Sequence, residues 1–203
     1  MDKIYTIDTL CKDKKIFALY NKKTIRIYQA YNNKIADEAL NLGKFGPVFN
    51  MERMTWIKPS FLWMMYRSGW ATKVNQERIL AIDILRDGFE YILSNAVLST
   101  YNDCVYSSYE QWKNKLQFSE VRCQWDPDRD LHGNRMARKA IQLGIKGSMA
   151  KRYVNQWIVK IADITNEVYK LKMEINNINF DKSLLPKETE YQINDYVKRI
   201  IGM

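Results

Sequence analysis

The chain has 203 residues, 46% of them apolar, so it can bury one hydrophobic core and is expected to fold as a single globular domain. Its net charge of +9 predicts attraction to polyanions such as nucleic acid or a phosphorylated cofactor. Three cysteines without C-x-x-C spacing and a single histidine, His132, argue against a disulfide framework, a metal site and a Ser-His-Asp triad.

The first predicted element is a β-hairpin. Residues 16–20 and 24–31 alternate apolar and polar side chains around Asn21-Lys22-Lys23, as two strands joined by a turn do. In the second strand the alternation places Arg26 and Tyr28 on one face and Gln29 on the other. A helix capped by Asn32 or Asn33 and ended by Gly43 should follow.

Residues 55–70 contain three tryptophans at a spacing of seven. The Thr-Trp-Ile triplet predicts a short strand, Pro59 forces an extended corner, and Ser60 can cap a helix that ends at Gly69. Tryptophans at this spacing are also typical of core positions. Polar and aromatic side chains cluster around this junction: Trp56, Lys58, Ser60, Tyr66 and Arg67.

An acidic segment follows a predicted short strand over residues 121–125. Asp126 and Asp128 would then lie at a sheet edge, where a loop can direct carboxylates into a cleft. An Asp-Pro turn with a local aspartate–arginine pair is the structural alternative. Together with Arg26 and the strand-to-helix corner, these acids would form a pocket for a charged ligand that contains a ring.

The remaining pattern mixes strands and helices without regular β-α-β alternation. It predicts an α+β fold, a single domain with a twisted, largely antiparallel or mixed sheet flanked by helices. Residues 1–175 should form the domain, and residues 176–203 a polar connection and a C-terminal helical segment packed on it. The longest apolar run is too short for a membrane span of about 18 residues, so we expect a cytoplasmic protein without a membrane partner. The other predicted elements are a strand over 78–84, helices over 89–97, 108–116 and 148–156, a strand near 140–145, an apolar run over 157–164, a helix after Thr165, and a helical segment over 191–200.

Several long strings resemble one uncharacterised family, called domain of unknown function 4291. The resemblance covers nearly the whole chain, and strings of this length are specific. The name of that family implies no activity. The strings are residues 27–31, 53–70, 76–78, 124–127 and 201–203.

The order of elements also resembles the ADP-ribosyltransferase superfamily. Those folds present a strand with Arg or His, a helix ending in Gly and an aromatic residue, a strand-to-helix corner with Ser, Thr or Tyr, and later an acid. Their usual acid is a glutamate on a late strand, whereas this chain offers aspartates, with Glu120 just before the strand. The resemblance implies NAD as the substrate. The catalytic residues it implies are Asp126, Asp128 and Tyr66, and the NAD-binding residues are Arg26, Tyr28, Gln29, Trp56, Lys58, Ser60 and Arg67.

The implied reaction cleaves the nicotinamide–ribose bond and transfers ADP-ribose to a protein or nucleic-acid acceptor. An aspartate would stabilise the sugar cation, Arg26 would pair with a phosphate, Tyr28 or Tyr66 would stack on nicotinamide, and Lys58 and Ser60 would complete the anion site. A competing interpretation is a non-catalytic module that grips single-stranded nucleic acid by phosphate contacts and base stacking. A phosphate-processing enzyme with aspartates around Mg²⁺ is a third, without supporting motif spacing.

Overall fold

The computed structural model describes residues 13–203, so residues 1–12 of the predicted domain lie outside the described part. The strands are β1 (Phe17–Ala18), β2 (Thr24–Tyr31), β3 (Thr55–Ile57), β4 (Arg78–Leu85), β5 (Val97–Leu98), β6 (Val121–Arg129), β7 (Arg135–Ile145), β8 (Ile158–Asp163) and β9 (Thr189–Glu190). The α-helices are α1 (Asn33–Leu42), α2 (Phe61–Ser68), α3 (Arg86–Ser94), α4 (Tyr109–Phe118), α5 (Gly147–Arg152), α6 (Thr165–Glu174) and α7 (Asp195–Ile200). A π-helical segment, Tyr153–Trp157, continues α5, and Lys182–Leu184 forms a 3-10 turn.

Two sheets form the framework, and together with the helices they confirm the predicted α+β class. The first is antiparallel, in the order β2-β4-β8. The second has the order β3-β7-β6-β5, and its only parallel pair within residues 13–203 is β5 with β6. The sheets meet where the Tyr28 N–H donates to the Lys58 carbonyl at 2.7 Å. The corner after β3 therefore lies beside β2.

The core lies on both faces of the first sheet, as the alternation in β2 predicts. Ile25 and Ile27 pack into the larger cluster, which includes Phe89 of α3. Tyr28 points to the opposite face, into a cluster with Met65 of α2. Each of these side chains is at most 1% exposed, and burying one contributes about 1.5–3 kcal/mol. This packing fixes α2 against β2.

The predicted caps around the tryptophan segment are confirmed. The Ser60 hydroxyl accepts from the Trp63 N–H at 3.4 Å at the start of α2. Gly69 ends the helix with φ of 61°, in the left-handed region that glycine tolerates best. The Asn32 side chain likewise accepts from the N–H of Ile35 and caps α1.

The predicted first hairpin forms next to its turn, where Tyr20 pairs antiparallel with Ile25 and the Arg26 N–H donates to the Leu19 carbonyl at 2.8 Å, but its pairing does not extend to Phe17. The Asn21 N–H donates to the Thr24 carbonyl at 2.9 Å, and the Asn21 side chain accepts from two further backbone N–H groups. Phe17–Ala18, however, pairs with Thr189–Glu190 rather than with β2. The C-terminal segment supplies this partner because Tyr191, 2% exposed, is anchored in the core.

The predicted end of the acidic strand at Trp125 is also wrong. β6 continues to Arg129, with Asp126 paired to Ala140 and Pro127 to Lys139 of the long strand β7. The register shifts between Pro127 and Arg129, so Asp128 is the unpaired residue of an irregularity. A bulge bends the strand and redirects its side chain, and it accommodates a proline that cannot donate to the ladder. The two aspartates therefore lie on a strand, not on a loop.

Two predicted helices have other bounds than expected, because residues predicted to be helical join a sheet or the core instead. The helix over 89–97 stops at Ser94, and Val97 begins β5, which adds to the edge of β6. The segment over 191–200 is helical only from Asp195, because Tyr191 and Ile193 insert into the core. Among residues 13–203, no helix has the length and apolar content needed to cross a membrane.

Candidate functional site

A cleft of about 1030 Å³ opens beside the junction of the two sheets. Strands β2, β3, β6 and β7 and helix α2 all contribute side chains to it. Its volume is at the upper end of the range found for small-molecule sites. Of the residues predicted for the site, the cleft brings together Gln29, Trp56, Lys58, Arg67 and Asp126.

Gln29 anchors a buried hydrogen-bond network at one end of the cleft. Its amide nitrogen donates to the Tyr31 hydroxyl at 2.7 Å and to the Thr55 hydroxyl at 2.8 Å. Its carbonyl accepts from the Tyr153 hydroxyl at 2.7 Å. Burial raises the pKa of both tyrosines, so both hydroxyls keep their protons as hydrogen-bond donors. The network fixes β2 against β3 and makes this wall rigid.

Lys58 lies at the base of the cleft and is only 5% exposed. Its ammonium is 3.4 Å from the Trp56 carbonyl and 5.5 Å from the centre of the Trp63 ring. The pKa of Lys58 is lowered to about 7, chiefly by burial and also by the positive charge of Arg67, while the negative charge of Asp126 opposes the change. An amine of this kind is partly neutral at physiological pH, which suits it for nucleophilic or acid-base chemistry.

Asp126 presents a carboxylate held by two amides. Gln124 donates to one oxygen at 2.9 Å, and Gln142 donates to the other at 2.6 Å. Gln124 and Gln142 are paired across β6 and β7, so the two glutamines approach the acid from neighbouring strands. None of the positively charged side chains between residues 13 and 203 forms an ion pair with Asp126. The carboxylate is oriented without being neutralised.

Positive and aromatic groups line the cleft around these residues. Arg53 precedes β3 and Arg67 lies in α2, and both are exposed. Trp56 is half-buried, and Trp63 is buried with its indole N–H unpaired among the described residues. Guanidinium groups suit phosphate binding, and indoles suit stacking on flat rings.

The structure places two of the predicted residues in the first sheet and its packing, away from the cleft lining. Arg26 forms a double ion pair with Asp83 of β4, at 2.8 and 2.9 Å. Tyr28 is 1% exposed and packs edge-on against Phe61. Arg26 is thus not free to bind a phosphate while its bond to Asp83 persists.

Asp128, Ser60 and Tyr66 also lie outside the cleft lining. The 2% exposed Asp128 pairs with Arg138 at 2.7 Å and accepts from the Arg129 N–H and the Ser60 hydroxyl. Tyr66 is 43% exposed, and the Arg129 guanidinium lies over its ring, 3.8 Å from the ring centre. These contacts attach the β6–β7 hairpin to α2.

Beside Asp128, the carboxyl group of Glu188 accepts from the Phe61 N–H at 2.6 Å, at the start of α2. Burial raises the pKa of Glu188 to about 8, and the negative charge of Asp128 adds to this effect. The C-terminal segment is thereby connected to the strand-to-helix corner through Ser60, Asp128, Arg138 and Glu188. They position the helix that carries Arg67.

Sequence reasoning missed several residues of the cleft, among them Arg53, Trp63, Gln124 and Gln142. Arg53 and Gln124 lie within the family-like strings, which were the available signal. Trp63 was assigned to the core, and its 7% exposure agrees with burial at the cleft wall. Gln142 carried no signal, because its position depends on the register of β6 with β7.

Comparison with known proteins gives one family. The sequence model of a family described as domain of unknown function (DUF4291) matches residues 15–191. This range includes the whole cleft lining. No curated protein matches the chain.

Proposed function

The chain belongs to the DUF4291 family, and we propose that it is an ADP-ribosyltransferase-like enzyme that uses NAD. In this proposal the cleft between Gln29, Lys58, Arg67 and Asp126 is the active site. The enzyme cleaves the nicotinamide–ribose bond and transfers ADP-ribose to a protein or nucleic-acid acceptor.

The observation that carries the proposal is the Asp126 carboxylate, held by two amides and by no cation among the described side chains. Cleavage of a nicotinamide–ribose bond develops positive charge on the sugar, so a fixed carboxylate nearby stabilises the transition state more than the ground state. Two amide donors orient the acid without cancelling its charge. The geometry therefore supports Asp126 as the acid that stabilises the sugar cation. Asp128 is less suited to this role because it is paired with Arg138.

The cleft also contains groups suited to the rest of a dinucleotide. Arg53 and Arg67 provide the guanidinium groups for the pyrophosphate, a role that the paired Arg26 is less suited to fill. Trp56 and Trp63 offer aromatic surface to the nicotinamide and adenine rings. The volume of about 1030 Å³ suits a ligand of this size.

The reaction balances without a metal or an external oxidant. The carbon–nitrogen bond to nicotinamide breaks, and its electron pair leaves with neutral nicotinamide. The acceptor atom forms the new bond to the ribose carbon and loses its proton, and the Lys58 amine and the Asp126 carboxylate are bases in the cleft that can take it.

A second candidate is the non-catalytic nucleic-acid-binding module. The net charge of +9 favours it, as do exposed arginines next to tryptophans at the cleft. The same residues would then hold phosphates and stack on bases, and Asp126 would have no chemical role. The two candidates differ in what happens when Asp126 loses its charge.

The decisive test compares Asp126→Asn with Asp128→Asn by nicotinamide release from NAD and by melting temperature. Asp126→Asn should lower turnover by about 100-fold or more with little change in melting temperature. Asp128→Asn is the matched control two residues away. Because it breaks a buried ion pair, it should cost about 2–4 kcal/mol of stability, with activity following the folded fraction.

Glu120→Gln serves as a further control, because Glu120 accepts from the Ser148 hydroxyl and two backbone N–H groups. It should retain turnover. Unchanged nicotinamide release in Asp126→Asn would contradict the proposal. Absence of release by the wild-type protein, together with single-strand binding that weakens steeply with salt, would favour the binding module.

A further inference from the structure

Lys58 has an environment that its predicted role as part of an anion site does not explain. The side chain is 5% exposed, yet none of the carboxylates in residues 13–203 forms an ion pair with it. The groups that its ammonium contacts are the Trp56 carbonyl oxygen, at 3.4 Å, and the Trp63 ring, whose centre is 5.5 Å away. A buried lysine is normally paired, so an unpaired one facing a cleft suggests chemical use.

The backbone holds Lys58 in one place. Its carbonyl accepts from the Tyr28 N–H at 2.7 Å, and Pro59 and the capped start of α2 follow directly. Proline restricts the residue before it to extended geometry. The amine is therefore presented into the cleft from a rigid corner, as a reacting group must be.

We infer that Lys58 is a nucleophilic lysine that forms an imine with an aldehyde or ketone ligand that carries a phosphate group. The inference goes beyond the proposed transferase function, because imine formation needs neither NAD nor an acceptor. The structural basis is an unpaired amine at the base of the cleft with guanidinium groups at its rim.

The chemistry follows from the groups around the amine. The nitrogen lone pair attacks the carbonyl carbon to give a carbinolamine, and the carbonyl oxygen then leaves as water with the two hydrogens of the amine. A desolvated lysine beside another cation is the arrangement that keeps such an amine neutral and reactive, and Arg67 supplies the cation. Asp126 of β6 lines the same cleft, and its carboxylate can relay a proton to the departing oxygen.

The preference for a phosphate follows from the cleft rim. Arg53 and Arg67 both line the cleft and both are exposed, so they remain available to an anion. Neither forms an ion pair within the described residues. A planar guanidinium binds phosphate with two parallel hydrogen bonds, which would orient the carbonyl end of the ligand toward Lys58.

The experiment uses pyridoxal 5′-phosphate as the probe, with borohydride reduction to fix the imine and peptide mapping to locate it. Residues 54–67 contain Lys58 as their only lysine, so a tryptic peptide over that range reports on it alone. At pH 7 and low probe concentration, this peptide should be labelled at least about tenfold faster than peptides with exposed lysines, whose amines are almost entirely protonated. Lys58→Met should abolish this adduct, and Lys34→Met, which removes an exposed lysine, should leave it unchanged.

Two results would overturn the inference. The first is labelling spread evenly over exposed lysines in the wild-type protein, which needs no variant to observe. The second is equal labelling by pyridoxal, which lacks the phosphate, since that would remove the case for an anionic ligand. Arg67→Gln should reduce the advantage of the phosphate form. Because no step involves nicotinamide release, failure of this inference and failure of the proposed transferase are distinguishable.

Discussion

Replacing Lys58 with methionine measures how much stability the protein loses by burying the ammonium of this side chain. Methionine keeps the length and flexibility of the side chain and removes the ammonium. Because Lys58 is 5% exposed and its pKa falls from 10.5 to about 7, the native protein releases this proton at far lower pH than the unfolded chain does. Below pH 7 both states carry the charge, and only the native state must bury it.

The size of the effect follows from the two pKa values. Their difference corresponds to about 5 kcal/mol of stability, which the wild-type protein loses below pH 7 relative to a chain with an apolar group at this position. Between pH 7 and 10.5 the unfolded chain binds more protons than the native protein, so wild-type stability rises with pH. Lys58→Met should therefore be more stable than wild type near pH 7, by about 10–20 °C in melting temperature, and the gain should vanish near pH 10.5.

The assay is urea unfolding of wild type and variant at several pH values between 6 and 10. Taking the difference between the two proteins removes the contributions of other titrating groups, provided that they are distant from Lys58. Lys34→Met is the matched control, because an exposed lysine should change stability by less than about 0.5 kcal/mol. A Lys58→Met variant that is less stable than wild type at pH 7, or a difference that does not vary with pH, would show that the buried ammonium does not lower the stability of the native protein.

Two further predictions concern positions around the cleft. Glu188 has a pKa of about 8 in the native state and of 4.5 in the unfolded chain, so the stability of the wild-type protein should fall as the pH rises between these values. In thermal melts, the stability of Glu188→Gln relative to wild type should therefore increase from pH 5 to pH 9. A difference that stays constant with pH would show that burial does not raise the pKa of Glu188. Gly88→Ala places a methyl group 2.4 Å from the Trp157 ring. The free energy of unfolding measured in urea should therefore fall by about 1–3 kcal/mol, although alanine has the better helix propensity. A stabilised variant would show that α3 can shift away from Trp157.

The sequence was sufficient for features that depend on local chemistry. Ser60 and Gly69 bound α2 because a hydroxyl cap and a left-handed glycine act within a few residues of themselves. The two faces of β2 followed from strict alternation. The α+β class followed from the mixture of strand and helix patterns.

Features that depend on contacts distant in the sequence could not be predicted. Phe17–Ala18 pairs with a strand about 170 residues away, a choice made by the C-terminal segment entering the core. The extension of β6 through Pro127 depends on the partner strand β7 and on a register shift that local propensity does not encode. That shift separates Asp126, in the cleft, from Asp128, in an ion pair, although the sequence presents the two acids as equivalent.

In the proposed function, the cleft binds NAD with its nicotinamide ribose beside Asp126. The most direct measurement is a crystal structure of the Asp126→Asn variant with NAD, since that variant should bind the dinucleotide without consuming it. The pyrophosphate should lie against Arg53 and Arg67, and the nicotinamide ribose should lie within hydrogen-bond reach of residue 126. A dinucleotide bound instead beside Arg26 and Asp83, or a cleft that stays empty at saturating NAD, would contradict the proposed function.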